Sequence, residues 1–104
     1  MYYRLYTGKD NKSYMEEFSP PNNMPATSVV FRNQPLGTFI DWHTAPRKQF
    51  LVTLEGEVEI GTGDGILHIL GPGDMMLAED ITGQGHTTRV IGNKDRISIA
   101  IPVE

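Results

Sequence analysis

The sequence predicts an all-β domain, a sandwich or a closed barrel, on three observations. Apolar residues recur at every second position rather than with the 3.6-residue period of a helix. The runs are short, and Gly, Pro, Asn and Asp separate them. Ten such runs fit into 104 residues, too many short strands for an open sheet.

In chain order the expected strands are Tyr2 to Tyr6, Tyr14 to Phe18, Ser28 to Arg32, Thr38 to His43, Lys48 to Glu55, Glu57 to Gly61, Gly65 to Leu70, Asp74 to Ala78, His86 to Ile91 and Arg96 to Ile101. Gly63-Asp64-Gly65 takes positive φ cheaply and predicts a tight hairpin between the sixth and seventh runs. Gly71-Pro72-Gly73-Asp74 predicts a second reversal, with Pro72 setting φ. Ser19 to Pro25 holds three prolines and two asparagines and reads as a loop. Residues 1–26 are therefore expected to form an N-terminal β arm and loop of the same domain, and 27–104 its body. In the last run Ile97, Ile99 and Ile101 alternate with Ser98 and Ala100. The isoleucine face is expected to line the core, and the mild second face to lie against another element or a second subunit, as in a homodimer.

Composition removes several function classes. One domain of this length buries roughly 65% of its unfolded surface, enough to fold without a disulfide or structural metal, so any metal is functional first. The net charge of −4, with both signs mixed along the chain, offers no basic stripe for nucleic acid and no polybasic segment for a membrane surface. No stretch approaches eighteen apolar residues, and the N-terminus lacks the charge and hydropathy of a secretion signal. The chain has no cysteine, hence no disulfide framework and no thiolate nucleophile. A cytoplasmic location is the expectation that follows. No serine sits in a nucleophile elbow, and the glycines from Gly61 to Gly65 lack the Lys and Ser/Thr of a phosphate loop.

The chemistry is expected from two histidines far apart in the chain, each at a strand end beside turn glycines. Alternation puts Asp41 and His43 on one face, and Gln49 on one face with Leu51 and Thr53. His86 follows Gly83-Gln84-Gly85, a turn that lets its side chain approach the interior. A third histidine, His68, shares a face with Ile66 and Leu70, and a solvent-facing placement is expected for it.

Gly37, His43, Gln49 and Gly56 fall on the spacing of the first cupin motif, G-x5-H-x-H-x3,4-E-x6-G, and Gly83 and His86 on the G-x2-H core of the second, G-x5-P-x-G-x2-H-x3-N. From about Gly37 to Ile101 the chain thus resembles a small single-domain cupin of the cupin 2 type. The resemblance implies a double-stranded β-helix, the jelly-roll barrel. It keeps two of the family's four metal ligands, His43 and His86, and departs at the other two, where Ala45 replaces the second histidine and Gln49 the glutamate. Outside the ligand set Ile81 replaces the proline and Val90 the asparagine, and the span from Gly73 to Gly83 is two residues longer than the motif.

The resemblance implies a divalent metal, Zn, Fe, Mn or Ni, in a weakened site, because an amide oxygen is an uncharged and poorer donor than a carboxylate. Two repairs stay open. Gln49 ligates through its oxygen beside His43 and His86, or Asp41 supplies the carboxylate; the glycine spacing favours His43, Gln49 and His86. Asp41, Glu79 and Asp80 are candidates for proton transfer, and Trp42 and Arg47 for substrate contact. Arg89 is a second candidate carboxylate clamp. The family implies an isomerase, lyase or dioxygenase acting on a small polar metabolite. The alternative is a metal-free module that binds a sugar or organic acid in the barrel mouth.

Overall fold

The computed structural model describes residues 1–103; Glu104, the last residue of the expected body, lies outside the described residues. Among the described residues there are ten strands and no helix: β1 (Tyr2–Thr7), β2 (Ser13–Glu17), β3 (Val30–Gln34), β4 (Phe39–His43), β5 (Gln49–Glu55), β6 (Glu57–Gly61), β7 (Leu67–Leu70), β8 (Met75–Ala78), β9 (His86–Ile91) and β10 (Arg96–Pro102). No helix is long and apolar enough to cross a membrane.

The strands form two sheets, one of six in the order β2-β1-β8-β5-β10-β3 and one of four in the order β4-β9-β6-β7. All the pairings are antiparallel except β1 with β8. From β3 to β6 and again from β8 to β10 successive strands alternate between the sheets, which is how the chain winds as a double-stranded β-helix. The N-terminal arm is an inner part of this wall, since β1 lies between β2 and β8 and places Leu5 in the core.

Period-two alternation generates the inner faces. Val58 and Ile60 of β6, Val90 of β9 and Leu70 of β7 point in from the smaller sheet, and Leu5, Met76 and Ala78 from the larger. Burying the Val, Leu, Ile and Met side chains among these contributes about 1.5–3 kcal/mol each. Glycines make the reversals. Gly65, at φ +84°, closes the β6–β7 hairpin, where Thr62 accepts the Gly65 N–H at 3.0 Å. That turn consumes residues 62–66, so β7 begins two residues later than alternation suggests.

Two face assignments reverse the sequence expectation. In β10 the buried residues are Arg96, Ser98, Ala100 and Pro102, and the three isoleucines are half-buried on the outer face. The inner side of this strand reaches a cavity at Arg96, and its other inward residues are small; the isoleucines pack beside Val52 and Phe31, their outer-face partners in register. In β7 the histidine face is the inner one: Leu70 is buried, Leu67 and Ile69 are exposed. His68 is half-buried, 3.1 Å from the Thr62 hydroxyl, and burial pushes its pKa down.

Leu5 is fully buried where the two N-terminal strands join the core. Leu5→Ala is expected to lower the unfolding free energy by about 2 to 5 kcal/mol, read as a reduced denaturant midpoint at unchanged slope; a loss below about 0.5 kcal/mol would place the N-terminal pair outside the cooperative core.

Candidate active site

His43 ends β4 and His86 begins β9, and the two are direct cross-strand partners. Their ring centroids are 4.3 Å apart, with planes inclined at 54°. Glycine makes this approach possible. Gly85 has φ +80°, and a Cβ there would lie 1.9 Å from the His43 carbonyl oxygen. Any side chain at 85 would push the strand ends, and the imidazoles, apart.

Each ring is held from behind through Nδ1. His43 Nδ1 is 2.8 Å from the Asp41 carbonyl oxygen, which only accepts, so Nδ1 carries the proton. His86 Nδ1 donates to Asp80 Oδ2 at 2.6 Å. Asp80 is fully buried, and the same oxygen accepts the Ser13 hydroxyl at 2.7 Å, while Oδ1 has no partner among the described residues. In the neutral form of each ring the lone pair therefore lies on Nε2, and both histidines line a cavity of about 330 Å³ between the sheets. Fixing the tautomer with a carbonyl or carboxylate on the far nitrogen is the usual support of an imidazole that ligates through the near one.

The cavity wall also carries Gln49, Thr88 and Ala45. Gln49 is buried on the inner face of β5, in line with Leu51 and Thr53. Ala45, at the position of the missing motif histidine, is buried with its N–H donated to the Asp80 carbonyl at 3.0 Å. A longer side chain at 45 would enter the cavity.

Several residues singled out from the sequence lie elsewhere. The β4–β9 register shifts between Ile40 and His43, so Ile40 and His43 both reach the cavity although three residues apart, and Asp41 does not. The simple alternation that put Asp41 beside His43 fails at this bulge. The Asp41 carboxylate turns back onto the Trp42 N–H at 2.9 Å. Trp42 and Arg47 are exposed and off the cavity wall. Glu79 pairs with Arg4 at 2.5 Å and Lys48 at 3.5 Å, away from the cavity. Asp80 reaches it only through His86. Arg89 is exposed over the Phe39 ring.

The cavity residues that sequence reasoning missed are Arg96, Arg32 and Gln34. The Arg96 guanidinium is 3% exposed and donates to the Thr53 hydroxyl from Nη2 at 3.0 Å and Nε at 3.3 Å, and to Gln34 Oε1 from Nη1 at 3.0 Å. Burial, with a smaller push from Arg32, lowers its pKa to about 10, so it stays charged at neutral pH. Arg96 opens the tenth strand like an ordinary edge residue. Only the inversion of that strand's faces would have revealed it.

The architecture and this cavity define the chain as having the double-stranded β-helix fold of RmlC-like cupins. Solved structures similar to it are an uncharacterised conserved protein with a double-stranded β-helix domain from Klebsiella pneumoniae, 24% identical over 80% of this chain and 79% of that one with a TM-score of 0.56; protein NMB1881 from Neisseria meningitidis, 19% identical over 86% and 88% with a TM-score of 0.56; and an RmlC-like cupin protein from Desulfovibrio desulfuricans, 17% identical over 96% and 79% with a TM-score of 0.52. No protein-family model and no curated protein matches the chain.

Gly85→Ala is expected to cost at least about 2 kcal/mol, from positive φ and the clash with the His43 carbonyl together. Denaturant unfolding measures this, and the imidazole signals of both histidines should shift in nuclear magnetic resonance spectra. Unchanged stability and spectra would contradict the close approach.

Proposed function

We propose that the barrel cavity binds a small polar metabolite, and that His43, His86 and Gln49 hold a divalent ion there, Zn, Fe, Mn or Ni, in an enzyme of the isomerase, lyase or dioxygenase kind. The observation that carries this reading is the pair of neighbouring imidazole rings across β4 and β9, both on the cavity wall and both with Nδ1 already engaged. In the neutral rings Nε2 is the atom left to donate to an ion.

The donor set suits a borderline ion with open coordination positions: two imidazole nitrogens and one amide oxygen. Among the described residues no group of three His, Cys, Asp or Glu side chains is placed to hold a metal, so Gln49 has to serve as third donor. An ion bound there would polarise a carbonyl or acidify water. The chain itself orients both rings, with the Asp41 carbonyl behind His43 and the Asp80 carboxylate behind His86.

A second reading is favoured by a specific observation. Arg96 and Arg32 share the cavity and no carboxylate ligand faces them, a field that repels a dication and suits a metal-free binding module. Metal analysis separates the two. Protein without a tag, grown with iron, manganese, nickel and zinc, is expected to carry close to one equivalent, and less than about a tenth of an equivalent would leave only the binding module. His43→Ala and His86→Ala should each weaken metal affinity at least about tenfold, and Ala45→His should strengthen it by a similar factor by restoring a third imidazole.

A homodimer belongs to the same proposal. It is supported by the apolar outer face of β3 and β10, where Phe31 is 75% exposed in register with half-buried Ile99. Light scattering should give twice the chain mass, and Phe31→Glu should halve it; a monomeric parent protein would remove this part of the proposal.

A further inference from the structure

Arg96 is a buried cation without a counter-ion. Among the described residues no carboxylate lies within 4 Å of it, and its partners are the neutral Thr53 hydroxyl and Gln34 amide. Burying an ionised group away from opposite charge is unfavourable. Proteins retain such a group where something else completes it.

The rest of the wall points the same way. Arg32 stands two residues before Gln34 on the inner face of β3 and lines the same cavity, adding a second positive charge. Of the five N–H donors of a guanidinium, Arg96 uses three within the protein, leaving one on each terminal nitrogen. The two remaining donors match the two oxygens of a carboxylate.

We infer that Arg96 and Arg32 form an anion subsite at which the cavity takes the carboxylate group of a small organic acid, the rest of the molecule reaching His43, His86 and Gln49. The cavity, about 330 Å³, is at the small end of ligand sites, which limits the occupant to a metabolite of a few carbons. The anion supplies the negative charge that the cavity side chains lack. The inference rests on the cavity being the ligand site proposed above, but not on a metal being bound.

The test is binding of acetate, pyruvate, malonate and succinate, each beside its uncharged amide, to the full chain held in chelator, by calorimetry and thermal shift. At least one acid is expected to bind and raise the melting temperature, with its amide at least about tenfold weaker. Arg96→Gln should abolish the response, and the half-exposed Arg32→Gln, the variant least able to disturb folding, should weaken it about three- to tenfold. The inference is overturned if no acid binds up to about 10 mM, if amides bind as well as acids, if Arg32→Gln binds unchanged, or if inorganic phosphate binds more tightly than every carboxylate. Metal uptake without carboxylate binding sinks this subsite and spares the metal proposal. Carboxylate binding in chelator with no metal uptake does the reverse.

Discussion

The backbone contact between Gly85 and the His43 carbonyl sets the geometry of the whole site. The contact is closer than any Cβ allows, so the end of β4 and the start of β9 meet at the distance that glycine permits. Cross-strand pairing then faces two imidazoles whose sequence positions are 43 residues apart. The Asp41 carbonyl and the Asp80 carboxylate engage the two Nδ1 atoms, so in the neutral rings Nε2 is the nitrogen left for a ligand.

Around that contact the interior is unusually polar for a small barrel. Arg96, Gln34, Gln49, Thr53, Ser98 and Asp80 are all buried, and the Ser98 hydroxyl and one Asp80 oxygen have no partner among the described residues. Each unsatisfied group costs about 1–3 kcal/mol. A barrel selected only for stability would fill this space with apolar side chains, as the Val58, Ile60, Val90 and Leu70 region does. Stability is concentrated in that apolar layer and in the β1 contribution of Leu5, leaving the polar end of the barrel to ligand chemistry.

Most of the architecture was legible because a strand announces itself locally. Alternation and turn glycines located all ten strands, with ends displaced by at most about two residues, and the hairpin at Gly63-Asp64-Gly65 stands where its φ demand put it. The histidine pair was legible as two residues beside turn glycines. Asp41 lies off the cavity wall because of one bulge in β4, since an inserted residue changes which face its neighbours occupy and leaves no local sign. The faces of β10 failed for a related reason: hydrophobicity identifies the inner side only when the inner side is filled, and here it borders a cavity.

The amino-acid order by itself determined the number of strands, their turns and the pair of histidines at strand ends, because these follow from period-two patterning and from φ angles that only glycine adopts readily. Tertiary structure alone decided which side of β10 faces inward, that Arg96 and Arg32 share a cavity with His43 and His86, and that Asp41 does not. Those outcomes depend on register between strands distant in the chain, and register is set by the summed packing of both sheets rather than by any segment's own residues.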